Sequence, residues 1–244
     1  MSQYYSKINT LYKRHEDGPL KHCIIPGDFS DPETKLLKDL KWKWYEKIDG
    51  TNMSFSLYKN EFGDFVFTIH GKTPNANIPE HLQKKMISLL DKEKMLEYFS
   101  DKGTLIGDDV SIEIFGEGYG MKIQKGGNYI KNDVDFIVFD IKINGWWLKQ
   151  EDVDEIAIGL GLKRVPYIGE MTIAEAEEYV KKGFKSNIAE NKDYDAEGLV
   201  GHAPMDLRKR NGERILVKIK TCDYRDLERK EFNMSKTENK LKYF

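Results

Sequence analysis

Residues 135–149 read DFIVFDIKINGWWLK, two runs of β-branched and aromatic residues joined by Asn144-Gly145. Such a pair between two runs of this kind signals a two-residue hairpin, because both turn positions need positive φ, which Asn and Gly tolerate. It predicts a strand over 134–143, a turn, and a second strand over 146–149. Outward from the hairpin, further strands are predicted over 53–58, 64–70, 104–117, 198–201 and 213–220, all rich in residues that suit a pleated, half-buried surface. Three helices are predicted. The first, near 78–99, opens with Asn77 and Glu80 in capping spacing and sets Leu82, Met86, Leu89 and Leu90 on one face. A short second helix falls near 151–158. The third starts at Thr172 with Glu175 in capping-box spacing, ends in Lys181 and Lys182, and stops at Gly183. Antiparallel pairs outnumber strand-helix-strand units, so the predicted class is α+β, with antiparallel sheets packed together and helices outside.

The 244 residues are 39% hydrophobic and 33% charged, which supplies a sizeable core and excludes a disordered chain. No apolar run approaches the roughly 18 residues of a membrane span. The opening stretch MSQYYSKINTLYKRHEDG holds no apolar segment that could direct secretion, so a cytoplasmic location is expected. With 39 basic and 41 acidic residues the net charge is −2, which excludes a generic polycation; any grip on a polyanion needs a local basic patch. Cys23 and Cys222 have no CxxC partner and no histidine pair at zinc-ligand spacing, and both are expected to be reduced, buried thiols. No repeat or linker divides the chain. One domain over 1–222 with a charged tail over 223–244 is the expectation.

The chemistry starts at WYEKIDGTNMSF, residues 44–55, where an apolar approach delivers Lys47 just before the Asp49-Gly50 turn. Alone, K-x-D-G also describes a surface lysine beside an ordinary turn. Four more elements follow in order: EIFGEGYG at 113–120, DFIVFDI at 135–141, AEGLVG at 196–201 and ILVKIKT at 215–221. In the last, the strand period puts Leu216, Lys218 and Lys220 on one face and Ile215, Val217 and Ile219 on the other. Two ammonium groups then project together, about 6.6 Å apart along the backbone, a spacing that suits a phosphate chain. In SIEIFGE, the residues Glu113, Phe115 and Glu117 share a face opposite Ile112 and Ile114, and glycines at 116, 118 and 120 permit close backbone approach. Phe139, read by itself, is a core phenylalanine.

In this order the five elements resemble the covalent nucleotidyltransferase superfamily of ATP-dependent RNA and DNA ligases and mRNA capping guanylyltransferases, over about residues 40–222. Asn52, five places after the lysine, is similar to the RNA ligase 2 type, where the other two groups usually carry arginine. Asp49 matches the wider superfamily, and Lys72 is the nearest cation where that family has an arginine after the first motif. The resemblance implies an ATP-grasp-like nucleotidyltransferase (adenylation) domain. It implies an ATP-dependent RNA ligase in which Lys47 forms lysyl-AMP, passes AMP to an RNA 5′-phosphate and joins that end to a 3′-hydroxyl. It also implies Glu46, Ile48 and Asn52 at the nucleotide, Glu46 being near the adenine edge and Asn52 serving the later steps. Glu117 would contact the ribose hydroxyl, Phe139 would stack on the base, Lys218 and Lys220 would hold the α-phosphate, and Glu197 would hold Mg2+ or Mn2+.

A nucleophilic lysine must be neutral, and at its ordinary pKa near 10.4 only about one in a thousand is neutral near pH 7. At an effective dielectric of about 20, a cation about 6.6 Å away contributes at most roughly 2.5 kcal/mol, whereas a divalent ion about 4 Å away contributes roughly 8 kcal/mol. Metal dependence is therefore expected. The tail is too short for the oligonucleotide-binding (OB) barrel that DNA ligases and capping enzymes carry. RNA grip would fall to the catalytic domain, to a partner protein, or to tail residues Arg225, Arg229, Lys230, Lys236, Lys240 and Lys242, which read equally as a solvated helix. Two alternatives stand beside the RNA ligase: a minimal DNA ligase or capping-type enzyme, and a nucleotide- or RNA-binding module that forms no covalent adduct.

Overall fold

The computed structural model describes residues 5–73, 75–107, 109–124 and 129–241, with side chains to Lys236. In chain order the elements are β1 (Tyr12–Arg14), β2 (Ile24–Phe29), α1 (Pro32–Leu36), β3 (Trp42–Lys47), β4 (Thr51–Lys59) and β5 (Phe65–Gly71). Then come α2 (Glu80–Leu89), α3 (Lys92–Asp101), β6 (Ser111–Gly120), β7 (Val134–Ile143), β8 (Trp146–Trp147) and α4 (Gln150–Gly159). The rest are β9 (Lys163–Arg164), β10 (Tyr167–Met171), α5 (Ile173–Lys182), β11 (Gly198–His202), β12 (Leu216–Lys220) and α6 (Thr221–Leu241). They form two compact units. Apart from β9, which runs parallel to β7, all strand pairs are antiparallel among the described elements. The class is α+β, as the hairpins predicted.

The first unit holds Ile48–Val165 together with Ile188–Asn191 and the chain end through Ser6. Its sheet runs β5-β4-β6-β7-β8. One face carries Met53, Phe55 and Leu57 from β4, Ile112 and Ile114 from β6, and Phe136, Val138 and Ile141 from β7. These pack with Leu82 and Met86 of α2, Met95 and Phe99 of α3, and Val153 and Ala157 of α4. Each such side chain contributes roughly 1.5–3 kcal/mol by leaving water. The hairpin turn has Asn144 at φ 48° and Gly145 at φ 84°, with Ile143 paired to Trp146.

Four expectations change here. The helix over 78–99 is two helices, because Leu90 turns extended at ψ 131° and Asp91 caps a new start by accepting from the Lys94 amide. Asn77 and Glu80 form no cap: Pro79 holds the N-cap position, and Glu80 pairs with Lys84 instead. The strand expected from 104 begins only at Ser111, after turn residues and Gly107 at φ 110°. The strand expected over 146–149 ends at Trp147, because Lys149 already caps α4.

The second unit holds Lys7–Lys47, Pro166–Asn187 and the chain from Lys192 onward. Its four-stranded sheet runs β10-β3-β11-β12, and β1 pairs with β2. Trp42 and Trp44 of β3, Leu199 of β11, and Val217 and Ile219 of β12 pack with Ile173, Ala176 and Val180 of α5 and with Tyr224 and Leu227 of α6. The predicted capping box closes α5 through Thr172 and Glu175, and Gly183 ends it at φ 74°. Helix α6 leaves directly from β12, so the boundary expected after residue 222 falls inside its first turn. Cys23 is buried, but Cys222 is exposed, against the expectation for both. Helical phase decides this, since Asp223, Tyr224 and Leu227 take the buried side. Among the described residues no helix is long and apolar enough to cross a membrane. Of the tail cations, Lys240 and Lys242 lie outside the described side chains.

Candidate active site

In the second unit, three positions far apart in the chain meet because their strands are neighbours. Trp42 and Trp44 point into the core, so by alternation Lys43, Tyr45 and Lys47 take the other face of β3. Gly198 of β11 registers with Lys47 on one side and Lys220 on the other. A Cβ at Gly198 would stand 2.0 Å from the Ile219 carbonyl oxygen, and its φ is +154°, so only glycine lets the strands close there. Glu197, immediately before it, spans the gap. Its Oε2 accepts from Lys47 Nζ at 2.6 Å and its Oε1 from Lys220 Nζ at 2.6 Å. The carboxylate is only 14% exposed, the lysines 21% and 29%, so these charge-assisted bonds form away from bulk water. Burial draws the Lys220 pKa down, but the hydrogen bond and charge of Glu197 outweigh it and leave it above its ordinary value.

Lys218 shares the outward face of β12, where Ile215, Val217 and Ile219 point inward. Its strand is clamped at that point, with the Lys218 amide donating to Asn9 O and its carbonyl accepting from the Leu11 amide, both at 3.0 Å. Glu46 takes the core parity of β3 and is buried. It accepts from Ser186 Oγ at 2.5 Å and from the Asn187 amide at 2.9 Å. Burial raises its pKa, and those two hydrogen bonds hold the rise in check. No motif in the sequence signals Ser186 and Asn187 as the partners of Glu46; a Ser-Asn pair reads only as a turn.

In the first unit, buried Ile48 leads into the Asp49-Gly50 turn. The Asp49 amide donates to Tyr129 Oη at 3.1 Å, and Gln124 Nε2 donates to the Gly50 carbonyl at 3.0 Å. A Cβ at Gly50 would come 2.3 Å from Gly118 O and 2.7 Å from Glu117 Cγ; the glycine lets the turn lie against β6. Asn52 then registers directly with Glu117. Phe139 is half-buried at a bulge in β7, where Phe115 pairs with Asp140 and the next residue, Gly116, with Val138. Tyr5 contacts Phe115 at 5.3 Å and Phe139 at 4.8 Å between ring centroids, and its hydroxyl donates to Asp140 Oδ2 at 2.5 Å. All three therefore lie on the face away from the apolar core, so the core reading of Phe139 taken alone gives way.

The donor chemistry bounds any metal. Among the described residues no group of three or more His, Cys, Asp or Glu side chains could hold an ion. Glu197 is a single carboxylate with both oxygens on lysines. It fits a hard cation that keeps its waters and takes further oxygens from substrate phosphates, and does not fit an all-protein cage.

The model of the RNA ligase family matches residues 41–220, from the approach to Lys47 through the end of β12. The chain belongs to the RNA ligase family. Solved structures of Naegleria gruberi RNA ligase share its fold. A mutant with ATP and Mn is 18% identical, with 82% of this chain and 54% of that one covered at a TM-score of 0.55. The protein with PPi is 20% identical, covering 79% and 53% at 0.55, and an apo mutant is 17% identical, covering 93% and 61% at 0.54. The RNA ligase family member described here thus spans between half and two thirds of the length of those chains, and the likeness speaks for the fold. No curated protein is similar enough in sequence to count as a match.

Proposed function

We propose that this chain is an ATP-dependent RNA ligase in which Lys47 is the temporary carrier of AMP. The observation that carries the reading is the Lys47-Glu197-Lys220 arrangement, three motif residues from distant parts of the chain within hydrogen-bond reach. The Lys47 amine, having lost its proton, attacks the α-phosphorus of ATP; the N–P bond forms, the bond to the bridging oxygen breaks, and pyrophosphate leaves. An RNA 5′-phosphate oxygen then takes the AMP and frees the lysine. A 3′-hydroxyl attacks that activated phosphate, a phosphodiester forms and AMP departs. Lys218 and Lys220 stabilise the charge that builds on the phosphate oxygens. Glu117, Phe139, Glu46, Ile48 and Asn52 are proposed nucleotide contacts. A bound Mg2+ or Mn2+, held by Glu197 through water, would supply charge neutralisation at the phosphates. For the amine to face phosphorus, Glu197 must give up its hydrogen bond to Lys47.

The test uses α-labelled ATP with a divalent metal. An acid-labile, alkali-resistant label on the chain, absent in Lys47→Ala, supports the proposal. Nucleotide binding without any adduct overturns it in favour of a binding module, and a panel of nicked RNA and DNA duplexes separates an RNA ligase that joins 5′-phosphate to 3′-hydroxyl ends from a DNA ligase.

A further inference from the structure

The segment joining β11 to β12 is a basic hairpin whose charges the nucleotidyl chemistry does not use. The ten residues Met205–Arg214, MDLRKRNGER, hold four cations and two acids in a chain of net charge −2. Arg208 bridges to Arg214, the Lys209 amide donates to Glu213 O at 2.7 Å, and the Gly212 amide donates to Lys209 O at 2.9 Å. Asn211 Oδ1 accepts from the Glu213 amide at 3.1 Å, and Gly212 sits at φ 84°. At the base, Met205 and Asp206 both stand in the left-handed region, at φ 53° and 52°, where non-glycine residues rarely settle without surrounding structure to hold them.

Within this frame Lys209 is paired with Asp31 at 2.9 Å, whereas Arg208 and Arg210 are exposed and have no ion-pair partner among the described residues. Arg14, Arg164, Arg225 and Arg229 all have carboxylate partners. Arg208 also lies directly across from Arg214, a like-charge placement that costs stability in a strand pair. Burial alternates without a break from Arg214 through Ile215, Leu216, Val217, Lys218 and Ile219 to Lys220. Arg214 therefore lies on the same face as Lys218 and Lys220, about 13 Å and about 20 Å from them by the strand rise.

We infer that the 205–214 hairpin binds the phosphate backbone of the RNA strand, a few nucleotides from the end being joined, with Arg208 and Arg210 as its free contacts. This rests on the ligase reading of the Lys47 site and adds to it a grip on RNA within the second unit. About 20 Å corresponds to about six stacked nucleotides. Arginine is suited to the task because its planar fork meets phosphate oxygens bidentately.

The experiment compares wild type with Arg208→Glu combined with Arg210→Glu, and with the corresponding double glutamine and double lysine changes. Binding of a fluorescent nicked RNA duplex with a 5′-phosphate is followed by anisotropy through a salt series, and lysyl-AMP formation, which needs no RNA, is measured on the same proteins. The glutamate and glutamine variants are expected to lose affinity about tenfold or more and to lower the salt slope by roughly two, as for two lost phosphate contacts. The lysine variant keeps the slope. Adduct formation stays within twofold of wild type. Unchanged RNA affinity and slope in the glutamine variant, or no RNA binding by wild type, overturns the inference. Absence of adduct in every protein defeats the ligase reading, while the binding comparison still decides the hairpin.

Discussion

The two units hold their candidate residues by different physics. In the second, Lys47, Glu197 and Lys220 are drawn together by charge across three neighbouring strands, and alternation along β12 already says which way the lysines point. In the first, Asn52, Glu117 and Phe139 are placed by packing: a strand register, glycines with almost no space around them, and a bulge pinned by Tyr5 and Asp140. Substitutions in the charge-held group should therefore strike chemistry first, and those in the packed group should strike folding first.

The largest effect expected is at Lys47. Lys47→Ala and Lys47→Arg should both reduce adduct formation by about a thousandfold or more, the arginine failing because its guanidinium does not give up a proton. Glu197→Gln should cost about a hundredfold and leave both lysines facing an amide. A glutamine variant with wild-type adduct formation would show that the bridge between strands is structural only, and would erase the contrast between the units.

The first unit offers the matching stability test. Lys142 and Glu113 pair at 3.3 Å with about a tenth of each side chain exposed, and Lys142 lies 5.5 Å over the Trp147 ring. Lys142→Met leaves a buried carboxylate without its partner and should destabilise the protein by about 3 kcal/mol. Lys13→Met breaks an exposed pair with Asp28 and should cost about 0.5 kcal/mol or less. Denaturant midpoints separate the two, and equal losses would contradict the burial argument.

What could be read in advance follows the same division. Asn144-Gly145, the Thr172-Glu175 capping box and the two faces of β12 were legible because each is fixed by residues two to four positions apart. Lys47 and Glu197 were legible as motif members, but their ion pair was not, since it depends on β11 lying between β3 and β12. Phe139 taken alone reads as core because a phenylalanine inside FIVFDI is more often core than a stacking platform; the shift between Phe115 and Gly116 is what turns it and Asp140 to one face. The strands at 12–14 and 24–29 carry no clear sequence signal, because one is three residues long and the other, IIPGDF, holds a proline and a glycine that signal a turn. Arg208 and Arg210 carry no sequence signal as unpaired cations, because pairing depends on which carboxylates the fold brings to Arg14, Arg164, Arg225 and Arg229.

The smallest expected effect concerns Glu46, the one charged candidate of the second unit that is held by packing. Its folded pKa lies above the ordinary 4.5, chiefly through burial and despite the hydrogen bonds from Ser186 and Asn187. A carboxyl with a raised folded value binds more protons in the native state than in the unfolded one, so its contribution to stability falls as pH rises from about 4.5 through the raised value. Glu46→Gln removes that titration: its amide can donate to Ser186 Oγ while its oxygen accepts from the Asn187 amide. The stability of the variant relative to wild type should rise across that window. Glu175 provides an internal contrast, because its hydrogen bonds from Lys41 and from the Thr172 backbone hold its pKa at about 2; its own contribution is lost only as pH falls below about 4.5. Urea denaturation of wild type and Glu46→Gln at paired pH values on both sides of 4.5 reads the difference directly. A relative stability that is flat or falling above 4.5 would mean that Ser186 and Asn187 favour the ionised carboxylate more than burial disfavours it, and would move Glu46 from the packed group to the charge-held one.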